Sequence, residues 1–117
     1  FIIDYLKDLT IVAVEGPPGF EKVLAVGEYY LNPENNLAEI AFSVEKRWQG
    51  RGLSSIVIKK LAEAAKKNGI EGLTAYTSKG NTRMVKLFNS LDYEVKSRSE
   101  GTMIYLEAFF QKDTPSA

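Results

Sequence analysis

Apolar and polar positions change their period along this chain, and each change predicts an element. Residues 10–15 are rich in β-branched side chains and stop at Gly16-Pro17-Pro18-Gly19, which predicts a strand and a tight loop. A second strand is predicted over 22–31, closed by Asn32-Pro33-Glu34-Asn35-Asn36, so the two form an antiparallel hairpin. Over 37–44 the pattern alternates, with Ala38, Ile40, Phe42 and Val44 on one side and Glu39, Ala41 and Ser43 on the other, a third strand.

The period then becomes helical. Leu53, Ile56, Val57, Lys60, Leu61 and Ala64 recur at three- and four-residue steps, and Asn68-Gly69 stops the helix predicted over 53–67. Residues 72–77 read as a short buried strand. A second helix is predicted over 81–91, with Met84, Val85, Leu87, Phe88 and Leu91 on its apolar face and Asn81 as its cap. Strands near 93–96 and 103–109 close the pattern, and 111–117 reads as a frayed polar tail. The order predicts an α+β fold, a mixed and mostly antiparallel sheet flanked by helices, with 1–117 as one domain.

Composition narrows the chemistry. The 117 residues are 44% hydrophobic, enough for one core and too few for two ordinary domains. With 15 basic and 15 acidic side chains the formal net charge is zero, so no global field draws the chain to nucleic acid or to an anionic membrane. There is no cysteine and no histidine, which excludes disulfides, thiolate or imidazole metal sites and a cysteine or serine-histidine nucleophile. A general base has to be a carboxylate, lysine, tyrosine, terminus or backbone-held water. No apolar run approaches the roughly 20 residues of a membrane span, and the chain reads as cytoplasmic. An apolar Phe1 without a preceding methionine suggests a piece of something longer.

The unusual local chemistry lies between the third strand and the first helix, at Arg47-Trp48-Gln49-Gly50-Arg51-Gly52. A helix start leaves NH groups without intrahelical partners and carries partial positive charge, so a phosphate fits there. Gly50 and Gly52 let the main chain come close, and Arg47 and Arg51 add local charge. Two glycines can also make nothing more than a tight turn. The loop lacks the third glycine of a dinucleotide fingerprint and the Gly-Lys-Ser/Thr of a P-loop.

This hexapeptide, following Ala38-Glu39-Ile40-Ala41-Phe42-Ser43-Val44 and opening a long helix, resembles the Arg/Gln-x-x-Gly-x-Gly/Ala acyl-CoA motif of the GNAT N-acetyltransferases. Downstream, Asn81-x-x-Met84-x-x-Leu87-Phe88-x-x-Leu91-Asp92-Tyr93 resembles the next family segment, with Asp92 where a glycine is usual. The closer resemblance is to domains fused to or associated with acyl-CoA synthetase-like proteins that acylate protein lysines. It implies acetyl-CoA as co-substrate, no metal, and a fourth strand, here 37–44, that splays from the fifth so that the pantetheine arm pairs with its edge. It also implies a first strand and a helix preceding Phe1.

The resemblance further implies an amine acceptor attacking the thioester directly, with Glu39 as base; alternation alone gives Glu39 as a solvated charge. It points to backbone NH groups of Phe42, Ser43 and Val44 for the carbonyls, and to Arg47, Gln49, Gly50, Arg51, Gly52, Leu53 and Ser54 for the pyrophosphate. Asn81 is either a helix cap or a hydrogen-bond partner of the coenzyme arm. Phe88 stands where many relatives carry a tyrosine that protonates the thiolate, which leaves Tyr93, Tyr29, Tyr30 or water. The competing functions are a non-catalytic acyl-CoA-binding sensor and a structural or interaction domain with no ligand. Polyamines, amino-sugar antibiotics and protein N-termini are the alternative acceptors.

Overall fold

The computed structural model describes residues 2–5 and 8–110, with side chains described over 8–110. The tail over 111–117 lies outside the described residues. Among the described residues seven strands form one sheet: β1 (Ile2–Tyr5), β2 (Asp8–Glu15), β3 (Lys22–Asn32), β4 (Leu37–Val44), β5 (Gly72–Ser78), β6 (Glu94–Glu100) and β7 (Met103–Phe109). Their spatial order is β1-β2-β3-β4-β5-β7-β6. Every neighbouring pair is antiparallel except β4 with β5. A parallel pair needs a long crossover, and α1 (Leu53–Lys67) supplies it. The second helix, α2 (Thr82–Ser90), leads from β5 toward β6.

This is the mixed, mostly antiparallel sheet that the sequence predicts, with one strand more. The resemblance places the first strand before Phe1; in the structure Ile2–Tyr5 pairs with β2, Ile2 opposite Ile11 and Tyr5 opposite Asp8. Four residues, with Asp4 among them, are too few for alternation to register. Two other bounds move by more than one residue: β2 starts at Asp8 and β6 runs on to Glu100, because hairpin pairing extends strands into polar sequence that propensity leaves out.

Side-chain parity sorts the sheet into two faces. Leu9, Ala25, Tyr29, Ala38, Ile40, Leu73, Ala75, Leu106 and Ala108 are buried and share one face. Against them α1 sets Val57, Ile58, Leu61, Ala62 and Ala65. The stripe predicted for α1 is therefore turned by about one position: Ile56 is 56% exposed and Ile58 is buried. The cause is the partner surface, since α1 lies on β3 and β4 around Gly27. On the opposite face, Glu39, Tyr30 and Tyr76 are exposed, and among the described residues no helix covers them.

Gly27 sets how closely α1 approaches. A Cβ there would lie 2.4 Å from Val57 Cγ1 and 3.2 Å from Leu61 Cδ1. Gly27→Ala is expected to lower unfolding stability by about 1–3 kcal/mol in urea melts, the range for an overfilled contact. Adding Val57→Ala should recover part of that loss, because the clash is with Val57.

Candidate active site

The site begins where the sheet forks. β4 and β5 pair only at Leu37 with Gly72, Ala38 with Leu73 and Glu39 with Thr74. Beyond that point β4 stays with β3 as far as Val44, and β5 stays with β7 as far as Ser78. The far half of β4 is left with an edge that no strand covers among the described residues. The Glu45 NH donates to the Leu24 carbonyl at 2.7 Å, and alternate residues of a strand turn their backbone groups to opposite edges. Phe42 and Val44 thus direct theirs into the fork, whereas Ser43 turns its own toward Val26 on β3. Of the three amides that the sequence groups together, Phe42 and Val44 face the open edge and Ser43 does not.

At the end of β4, Lys46–Trp48 form one 3-10 turn. The Gln49 side chain returns to β4, Nε2 donating to the Val44 carbonyl at 3.2 Å, which ties the loop to the strand. Gly50 and Gly52 have φ of 78° and 80°, the left-handed region that favours glycine. A Cβ at either would meet nothing within 4 Å. Gly52 is the N-cap residue of α1, no side chain caps it, and the first helical bond is Ile56 NH to the Gly52 carbonyl at 3.3 Å. At the helix's positive end the NH groups of Leu53, Ser54 and Ser55 therefore carry no side-chain partner among the described residues. Arg47 and Arg51 are exposed, and among the described residues neither is in an ion pair. Arg51 lies over the Trp48 ring at 5.3 Å.

An open cleft of about 350 Å3 adjoins the fork on the helix-covered face, between Phe42 and the first turns of α2, at Asn81, Thr82, Arg83, Met84 and Leu87. Asn81 caps α2: Oδ1 accepts from the Met84 NH at 3.2 Å while Nδ2 donates to Thr77 Oγ1 at 2.8 Å. Each polar atom of the amide keeps spare hydrogen-bonding capacity. The cap is thus present, and it leaves the second reading of Asn81 open on chemical grounds.

Glu39 lies across the sheet from the cleft. It is exposed on the helix-free face, between Tyr30 on β3 and Thr74 on β5. The alternative proton donors are scattered. Phe88 is completely buried. Tyr29 is 1% exposed and accepts a hydrogen bond from Asn68 Nδ2 at 2.7 Å. Tyr93 lies under Lys66, whose Nζ is 3.0 Å from its hydroxyl, at the other end of α1. Of the three named tyrosines only Tyr30, whose hydroxyl donates to Glu28, shares a face with Glu39. Sequence reasoning missed Tyr76 and Tyr105, which meet with ring centroids 5.0 Å apart on that same face. The alternation of Thr74, Tyr76 and Ser78 marks the face; the register against β7 is not visible in the sequence.

A family model described as the acetyltransferase (GNAT) family matches residues 3–93. An acetyltransferase of Pseudomonas aeruginosa is 25% identical over 91 residues, which are 78% of this chain and 49% of that protein. The GNAT domain of S. lividans PAT superposes with a TM-score of 0.75 at 25% identity, over 92% of this chain and 64% of that one. A cAMP-binding acyltransferase from Mycobacterium smegmatis gives 0.74 at 26% identity, over 97% of this chain and 35% of that one. The chain thus spans about half the length of the P. aeruginosa relative. No helix among the described residues is long and apolar enough to cross a membrane.

Proposed function

The chain belongs to the acetyltransferase (GNAT) family, and on that premise we propose that it transfers an acetyl group from acetyl-CoA to a primary amine, foremost a protein lysine. The observation that carries the reading is the fork between β4 and β5 opening beside the glycine loop of α1. The residues fit the co-substrate: the open space at Gly50 and Gly52 admits a pyrophosphate against the main chain, and the uncapped amides of Leu53 and Ser54 receive it. Arg47 and Arg51 neutralise its charge. Gln49 holds the loop from within, through Val44.

Acetyl-CoA supplies the thioester acyl group; a carbon–nitrogen bond forms as the carbon–sulfur bond breaks, and a neutral amine yields an amide and the coenzyme thiol. In this reading the Phe42 and Val44 amides bind along the β4 edge as a neighbouring strand would, aligning the carbonyl and stabilising its developing negative charge. Glu39, exposed on the helix-free face, takes the proton that the nitrogen loses, directly or through one water. Buried Phe88 cannot donate a proton, so the departing sulfur is protonated by solvent or by a hydroxyl on the helix-free face.

Phe88 also favours a second reading, a domain that binds acetyl-CoA without turning it over. One pair of measurements separates the two. Acetyl-CoA at a hundred times its Kd is expected to stabilise the domain by about 2.7 kcal/mol. Release of coenzyme thiol in the presence of lysine peptides then marks transfer; stabilisation without thiol release supports the sensor.

A further inference from the structure

β4 and β5 part just after Glu39 and Thr74. Residues two apart in a strand share a face, so Tyr76 stands on the face of Glu39, one strand across the gap and just past the last paired position. It is 46% exposed, which alone is ordinary for tyrosine. Its surroundings are not. Tyr105 lies directly opposite on β7 and packs on its ring at 5.0 Å, with the planes at 49°. The Tyr76 hydroxyl donates to Glu100 Oε2. Arg98 Nε donates to the other oxygen of that carboxylate at 3.0 Å, and its guanidinium lies over the Tyr105 ring at 5.0 Å. Ring and hydroxyl are therefore both held. The bond to Glu100 raises Tyr76 above the ordinary phenol range, so its proton stays in place at neutral pH.

The co-substrate cleft lies on the helix-covered face and Glu39 on the other, so an acceptor that reaches Glu39 enters the fork from the helix-free side. Tyr76 is a fixed aromatic surface bordering that entrance. Asp8, Glu28 and Glu107 stand on the same face by register and favour a cationic arrival, while Lys96 and Arg98 mark its β6 side.

We propose that Tyr76 is an acceptor-positioning residue: its clamped ring is the wall, opposite Glu39, along which the methylene chain of a lysine-like amine lies as its nitrogen enters the fork. The inference rests on the acyl-transfer reading above.

The test is steady-state transfer from acetyl-CoA to Nα-acetyl-lysine amide, with melting temperature and acetyl-CoA affinity followed in parallel. Tyr76→Ala is expected to raise the KM for the amine by about tenfold, the scale of a lost aromatic contact to a cationic chain. Acetyl-CoA affinity should not change. Tyr76→Phe keeps the wall and loses only the clamp, so its KM should return most of the way to wild type. A merely structural role would instead move the melting temperature and both substrates together. An unchanged amine KM in Tyr76→Ala, or a Tyr76→Phe as impaired as Tyr76→Ala, overturns the proposal. Absence of any transfer to this amine by wild type overturns it as well; acetyl-CoA stabilisation in that sample would show that the co-substrate reading survives, and its loss would show that the underlying reading has failed.

Discussion

Replacing Glu39 by glutamine is expected to lower kcat at neutral pH by at least about a hundredfold, the lower end of what a positioned base contributes, with acetyl-CoA affinity unchanged. The separation follows from the geometry. Glu39 is on the helix-free face, whereas the glycine loop and the cleft at Asn81 and Met84 are at the far end of β4 and on the other face. Glutamine has nearly the same shape, so β4 and its pairing with Tyr30 and Thr74 should persist. The measurement is thiol release at neutral pH, together with calorimetric titration of acetyl-CoA. Turnover by Glu39→Gln within a few-fold of wild type would remove the carboxylate from the mechanism.

How much of this was legible in the sequence depends on whether the determinant is local. The alternation over Leu37–Val44 and the Gly50-Arg51-Gly52 turn are local, and both stand where the pattern puts them. The rotation of α1 is not local: Ile56 and Ile58 are equally apolar, and the packing of α1 over β3, β4 and β5 decides which of them is buried. The same holds for Ser43. Its side chain shares a face with Glu39, yet the orientation of its amide follows from the β3 register, which a single strand's composition does not encode. Tyr76 escaped for a related reason. A tyrosine in a short strand reads as filler until β5 is seen to leave β4 one residue earlier and to bring Tyr105 and Glu100 alongside. Phe88 shows the converse, because its substitution at a family position was visible at once, while its complete burial required the packing of α2.

The double variant Gly50→Glu, Gly52→Glu is expected to lose acetyl-CoA binding altogether in a titration where wild type binds, a drop of about a hundredfold or more from losing a set of charge-assisted contacts worth roughly 3 kcal/mol. What makes the test sharp is that the fold should survive. A Cβ at either glycine meets nothing within 4 Å, so no packing is broken, and the cost is that of holding two side-chain-bearing residues at φ of 78° and 80°, about 1–2 kcal/mol each. That is a bearable loss for a domain whose core lies elsewhere, around Leu61, Leu73 and Leu106. The substitutions put negative charge where the pyrophosphate would lie and fill the approach to the α1 amides, opposing the partial positive charge there. Gly50→Ala, Gly52→Ala serves as the companion variant: it has the same backbone strain and no charge, so binding that weakens only several-fold there assigns the larger loss in the glutamate pair to phosphate repulsion. Equal loss in both variants would instead place the effect on the loop's conformation, and full binding by the glutamate pair would move the coenzyme away from this helix start.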